Sequence, residues 1–405
     1  MAEGHKRQNV FKAFRSRNYR LYFTGQSISL IGTWMQRTSV YWLVYVLTKS
    51  SFMLGVAVFA TQFPSFLFSV FGGVVSDRYD RYRVLLFTQA ASLVQALLLT
   101  ALVLCNHYNV WEILSLSVLL GVINAFDVPA RHALIYDMVD YKEDLSNAIA
   151  LNSSMVNLAR LIGPAIAGIV LEKLGAGICF LGNALSFLTV IISLLLMKLP
   201  TYVPKVNEKR GWADLRAGLV YLKDTPSIGH VILLLACMSL LVLPFTTLLP
   251  VYAKVIFNGN AATFGYLNSF IGLGAIGGTF FLASLRPGTN LKKILLVNTF
   301  VFGAGLILFS HMNSLPFALL FAVITGFGMM SQTTISNTII QTSVALEMRG
   351  RVISYFAMAY FGMLPIGGLL IGSVSYYLGS PNTILAQGLA ALLIGLFSLF
   401  DVNKF

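Results

Sequence analysis

The sequence predicts an all-α integral membrane protein. Twelve transmembrane helices form two pseudo-symmetric six-helix halves, with both termini cytoplasmic. Three observations carry that prediction: a composition too apolar for water, long unbroken apolar runs, and a partial internal repeat. Of the 405 residues, 57% are hydrophobic and 11% charged, and mean hydropathy is +0.78. Soluble domains carry about 25% charged residues. The apolar runs reach the roughly 20 residues that a helix needs to cross a hydrocarbon core. They are continuous rather than alternating every second residue, which argues against an outer-membrane barrel.

In chain order the spans are placed near 19–46, 52–76, 83–105, 112–136, 145–171 and 177–197, then 228–250, 263–285, 292–310, 315–341, 351–376 and 382–401. Short turn-forming stretches separate them, such as Lys49-Ser50-Ser51, Leu174-Gly175-Ala176-Gly177 and Gly379-Ser380-Pro381. One connection is longer and basic. It runs from Leu199 to Ser227, and its second half, WADLRAGLVYLKDT, has the spacing of a helix lying on a membrane surface. The expected organisation is therefore 1–198 as a first half, 199–227 as a cytoplasmic linker with an amphipathic helix, and 228–405 as a second half.

Orientation follows from where Lys and Arg fall. With a cytoplasmic N-terminus, the opposite face holds only Lys49, Lys173 and Lys254 of the 28 basic residues, while Arg37 and Arg160 fall inside spans. A net charge of +13 and a pI near 9.7 can signal a nucleic-acid partner. Here the cations are dispersed over the cytoplasmic segments, as insertion and anionic headgroups require, and no nucleic-acid partner is expected. Three scattered cysteines make neither a disulfide framework nor a metal-ligand spacing, so no metal or cofactor is expected. The basic N-terminus runs into the first span without a small-residue cleavage site, and no removable signal peptide is expected.

The repeat emerges on shifting the chain by 204 residues. Glu143 then pairs with Glu347, Gly163 with Gly367, Gly168 with Gly372, and Gly175 with Gly379. Apolar matches come cheaply in such a chain; three glycines and a carboxylate in register do not. Two related six-helix halves around a midplane site are an architecture of secondary transporters.

Between the second and third runs stands GGVVSDRYDRYRV (72–84), five charges in seven residues flanked by charge-free segments. An ordinary positive-inside loop explains its arginines but not its two aspartates. The pattern Gly73, Asp77, Arg78, Arg81, followed by Arg83, resembles the signature loop of the major facilitator superfamily. Asp80 and Tyr82 stand where that family usually has a glycine and a second basic residue. The resemblance implies a cytoplasmic gate in which Asp77 caps the N-terminus of the eleventh helix, near Arg349 and Arg351. A carboxylate suits the free N–H groups and dipole of that position.

In the fifth span, NLARLIGPAIAG is similar to the glycine-proline motif of exporters in the superfamily, through Gly163, Pro164 and Gly168. Generic small-residue helix packing would also place glycines there. Four segments, 14–36, 125–139, 144–168 and 348–368, look like the bacterial branch of enterobactin-exporter and macrolide-efflux-like proteins, the transmembrane secretion effector family. That resemblance implies a multi-pass protein of the bacterial cytoplasmic (inner) membrane. It would be monomeric and would export a small amphipathic, siderophore- or drug-like molecule, with multidrug resistance among the branch's roles. Helices 1, 4, 7 and 10 line the cavity in the superfamily. Their polar and aromatic residues here include Gln26, Trp34, Gln36, Arg37, Asn124, Thr246, Gln332 and Asn337. Trp34 also fits an interfacial anchor.

GLGAIGG (272–278) matches a dinucleotide fingerprint but sits inside an apolar span with no preceding strand, so it reads as packing. No nucleophile–base pair points to an enzyme and no P-loop to hydrolysis-driven transport, which leaves an ion gradient, most simply protons. Charges inside spans are costly and mark pathways. Asp127 is therefore expected to carry the proton of an antiporter, and Arg37 and Arg160 to hold anionic substrate groups. The 204-residue shift puts Ser331 opposite Asp127 and Leu364 opposite Arg160, so these charges break the repeat. The competing reading of Asp127 is a helix-surface ion pair with Arg131, four residues on. Two other function classes are a lysophospholipid transporter or flippase of the same fold, and a membrane scaffold.

Overall fold

The computed structural model describes residues 11–106, 108–199, 211–286 and 288–400. The helices are α1 (Arg17–Thr48), α2 (Ser51–Arg78), α3 (Arg81–Leu104), α4 (Val110–Met138), α5 (Leu145–Leu174) and α6 (Ala176–Leu195). After a linker helix (Gly211–Asp224) follow α7 (Pro226–Ile256), α8 (Ala261–Ala283), α9 (Leu291–Ser310), α10 (Leu315–Ser343), α11 (Leu346–Leu378) and α12 (Ser380–Phe400). Eleven of them are long and apolar enough to cross a membrane; α1 has 32 residues and a more polar composition.

Short polar side chains start the helices by accepting from free N–H groups. Ser50 accepts from the Met53 amide, Asp80 from Tyr82 and Asn290 from Lys293. Asn109 with Glu112, and Asn260 with Thr263, form reciprocal capping boxes. The joints after α5 and α11 are Gly175 and Gly379, with φ of +83° and +77°, where a side chain would be strained. They are partners under the 204-residue shift. Packing follows the same relation: α2 lies on α4 as α8 lies on α10, α3 on α4 as α9 on α10, and α3 on α6 as α9 on α12.

Two helices depart from regularity. Helix α7 is α-helical to Leu241, passes through a 3-10 segment at Leu243–Leu248 and ends in a π turn at Tyr252–Ile256. Pro244 and Pro250 remove N–H donors along that stretch. Helix α11 carries a π turn at Met358–Gly362. The largest apolar core belongs to α7–α12, where Tyr252 packs at a tilt against Phe309 (4.9 Å between centroids) and donates its hydroxyl to the Ser310 carbonyl at 2.6 Å. Large apolar residues such as Val70, Phe87, Phe280 and Phe397 stand exposed on the outer surface, as lipid contact demands.

Helices α1–α6 and α7–α12 meet along two seams, both at the end of the bundle opposite the linker helix. At the first, a Cβ on Gly168 of α5 would lie 3.0 Å from Gly265 Cα of α8, and one on Gly265 only 2.6 Å from the Pro164 carbonyl. At the second, a Cβ on Gly55 of α2 would lie 2.7 Å from the Gly368 carbonyl of α11, and the Ser51 hydroxyl donates to the Gly372 carbonyl at 3.1 Å. Trp42 of α1 stacks on Phe264 of α8 at 6.0 Å beside an apolar cluster of Leu171, Cys179 and Ala261. Contact between α2 and α11 continues to Phe66 against Gly362, but nothing lies within 4 Å of a Cβ placed on Gly73 or Gly350. The bundle is thus shut at the far end and parted at the linker end.

Gly265→Val must push the first seam apart. It should cost about 1–3 kcal/mol, the usual penalty of overpacking. Thermal unfolding of the purified protein checks this, and cysteine labelling near Trp42 should rise in the same variant.

Candidate functional site

Three side chains from the adjacent helices α1 and α5 meet at mid-depth. Trp34 and Arg37 lie one helical turn apart on α1, which places them on one face. The Arg37 guanidinium carbon is 4.9 Å from the Trp34 ring centroid. The Arg160 guanidinium, from the midpoint of α5, lies over the same ring at 5.4 Å. Gly163 makes this possible, because a Cβ there would overlap the Trp34 Cβ. From the second half, Met330 of α10 offers its sulfur 3.7 Å from Arg160 Nη1, and Tyr360 on the α11 π turn lies in the same neighbourhood. Arg160 Nε is buried without a hydrogen-bond partner. Next to it, the Ser269 hydroxyl of α8 donates to the Leu161 carbonyl at 3.0 Å.

Asp127 is elsewhere. It is 2% exposed inside α1–α6, where its carboxylate pairs with Arg131 and accepts from Thr88 (3.0 Å) and Gln89 (2.7 Å) of α3. The i,i+4 ion pair is therefore formed, and the structure does not bring Asp127 to Arg37 or Arg160. A buried carboxylate with a cation and two donors is well compensated.

Two expected cavity residues face other helices. Gln36 accepts from Asn183 of α6 at 2.8 Å and donates to Gln95 of α3 at 3.0 Å, and is 2% exposed. Gln332 is fully buried against α9, accepting from Thr299 at 3.1 Å and Asn298 at 3.4 Å. The expectation that both line the cavity is corrected. A buried amide needs partners: Gln36 finds them for both its oxygen and its nitrogen, and Gln332 for its oxygen, with Nε2 left unpartnered. Gln26 is buried on α1 with Oε1 unpartnered, Asn124 is half-buried on α4, Thr246 sits half-buried on the 3-10 segment of α7, and Asn337 accepts from Gln341 at 3.1 Å.

At the linker end, Arg81 pairs with Asp137 of α4 at 3.5 Å, and Arg83 with Asp80 at 3.6 Å. Asp77 and Arg78 stand exposed in the last turn of α2. The N-cap position of α11 is Ala345. Arg349 is half-buried with Nε unpartnered, and Arg351 Nη1 lies 3.1 Å from the Met348 sulfur. The linker helix braces this segment, since the Tyr355 hydroxyl donates to the Leu215 carbonyl at 2.8 Å and Gly218 faces Tyr355 and Arg351. Thr88, Gln89, Met330, Tyr360 and Asp137 were not singled out by sequence reasoning. Thr88-Gln89 was visible as a polar pair in a charge-free run; nothing in the sequence marks the π turn that carries Tyr360.

A model of the transmembrane secretion effector family matches residues 8–403. The staphyloferrin A transporter of Staphylococcus aureus is 27% identical over 387 residues, covering 95% of this chain and 96% of that protein. The enterobactin exporter of Salmonella choleraesuis is 26% identical over 389 residues, with 95% and 92% covered. Among solved structures, a POT family transporter in complex with 5-aminolevulinic acid superposes with a TM-score of 0.78 at 13% identity, covering 96% of each chain. A bacterial homologue of the human lysosomal transporter Spinster, inward-facing and unoccupied, gives 0.74 at 13% identity, covering 97% of this chain and 98% of that one. The fold is that of major facilitator transporters.

The Asp127–Arg131 geometry makes a stability prediction. Asp127→Asn strands a buried guanidinium and should cost about 3 kcal/mol. Adding Arg131→Gln should recover most of that loss, as thermal unfolding of the single and double variants would reveal.

Proposed function

The chain belongs to the transmembrane secretion effector family of membrane transporters, and from that premise we propose that it exports a small siderophore-like molecule across the bacterial cytoplasmic membrane by alternating access. The observation that carries this reading is full-length similarity to a staphyloferrin A transporter and an enterobactin exporter. In this reading α1 is the twelfth span; its 32 residues, about 48 Å of helix, exceed the roughly 30 Å hydrocarbon core. The basic linker end faces the cytoplasm, so the conformation parted at that end is inward-open. Residues 1–198 and 228–405 rock against each other about the two glycine seams.

Closing the cytoplasmic end would bring the α2–α3 loop to the start of α11. Gly73, Asp77, Arg78, Arg81, Arg83, Arg349 and Arg351 form that gate in our proposal. The free space at Gly73 and Gly350 supports it, since room left open in one state is what packing in the other consumes. Gly73→Val should leave the inward-open form intact and block closure. Cysteine pairs joining the linker ends of α2 and α11 should crosslink in the parent protein and fail in the variant.

Proton antiport is assigned to Asp127, among the described residues the one acid more than two turns from a helix end. Its partner Arg131 can hold or release it as the helices move, which exchanges a proton. The Asp127→Asn/Arg131→Gln double variant removes both charges without stranding either. In proteoliposomes it should exchange enterobactin at equal pH and lose pH-driven accumulation; full gradient-driven transport would refute the assignment. Lysolipid counterflow in place of siderophore counterflow would establish the flippase reading instead.

A further inference from the structure

The two arginines at mid-depth have no acidic counterpart. Among the described residues the ion pairs are Arg81–Asp137, Arg83–Asp80 and Arg131–Asp127, and none involves Arg37 or Arg160. Both guanidiniums lie over one indole, so their central carbons are no further apart than the two ring distances combined. Like charges in one half-buried site repel each other. Trp34 offsets part of that through cation–π contact. The Met330 thioether is a weak acceptor and Arg160 Nε has none. The site is therefore built with an excess of positive charge and of donors.

We propose that this site takes a polycarboxylate, a ligand with at least two separate carboxylate groups, held between the halves by Arg37 and Arg160 on either side of the Trp34 contact. The proposal rests on the exporter reading only for the ligand's direction of travel. Donor counting sets the number of carboxylates. Each guanidinium presents five N–H donors, whereas one carboxylate offers about four lone-pair sites, so a single group leaves one cation unanswered. Two carboxylates, each held in a two-pronged pairing with one arginine, satisfy both. The arginines stand on α1 and α5, and Tyr360 and Met330 on α11 and α10. A ligand seated there touches both halves and offsets the repulsion between the two guanidiniums.

The test uses the full-length protein in detergent with citrate as the probe, trimethyl citrate as its uncharged counterpart and lysophosphatidylglycerol as a single-phosphate lipid. Citrate should raise the Tm of the parent protein, and the ester should not. Arg37→Gln and Arg160→Gln should each weaken citrate binding about tenfold or more, as loss of a charge-assisted pair does. Arg160→Lys should retain part of it, and Arg216→Gln on the linker helix should bind as the parent does. Without ligand, Arg160→Gln should unfold at the same temperature as the parent or higher, because it removes repulsion. A purely structural arginine would instead lower that temperature and leave citrate affinity alone. Equal response to citrate and its ester, unchanged binding in both glutamine variants, or binding of the lysolipid instead of citrate would each overturn the proposal. Arginine-dependent citrate binding without transport of any siderophore would keep this site and remove the exporter reading. Enterobactin transport that ignores both substitutions, without citrate binding, would do the reverse.

Discussion

Where α5 crosses α8, Gly168 and Gly265 bring backbone against backbone, and where α2 crosses α11, Gly55 meets Gly368 and Gly372 in the same way. In lipid there is no hydrophobic gain from joining two apolar helices, so close van der Waals approach must supply the attraction. Such approach is available only where side chains are missing. Everything at mid-depth depends on it. Gly163, five residues before Gly168, admits Trp34, and Trp34 in turn carries both arginines. The seams also explain the asymmetry of the bundle: the far end is held by glycines, whereas the linker ends of α2 and α11 stand apart.

Polar side chains inside the bundle divide into two kinds. Gln36 with Gln95 and Asn183, Gln332 with Thr299 and Asn298, and Asp127 with Arg131, Thr88 and Gln89 are closed sets, each within one half. They bond to one another and fasten neighbouring helices, although Gln332 Nε2, Asn298 Oδ1, Gln89 Oε1 and Arg131 Nε stay unpartnered. Arg37 and Arg160 are of the other kind, with no ion-pair partner among the described residues. Intramembrane charge is costly enough that an unbalanced pair calls for a partner from outside the chain.

The long apolar helices were legible because bilayer thickness imposes length and because a loop inside lipid cannot satisfy its backbone. The caps at Ser50, Asn109, Asn260 and Asn290 fall at the starts of the predicted runs for the same local reason. The repeat was legible at Gly175 and Gly379, since positive φ demands glycine at both. Side-chain direction was not. A glutamine on α1 or α10 reads alike whether it faces a cavity or a neighbouring helix, and Gln36 and Gln332 turned to their neighbours. Asp80, out of place in the signature loop, proved to cap α3 and to pair with Arg83. The meeting of Arg37 and Arg160 over Trp34 depends on tertiary approach, which no periodicity encodes.

The π turn of α11 bears on how this helix tolerates insertion and deletion. A π turn is an α-helix that has taken in one residue too many for its ladder. Removing one residue between Met358 and Gly362 would restore a regular helix, at little cost to the backbone itself. Because the bulge takes up the surplus locally, the turns before and after it would keep their phase, and Arg351 and Tyr355 would still face Gly218 and Leu215. A deletion elsewhere in α11 has no bulge to absorb it and would turn one flank by about 100° at 3.6 residues per turn. The π turn is thus the one place in α11 where chain length can change while the linker helix keeps its seat.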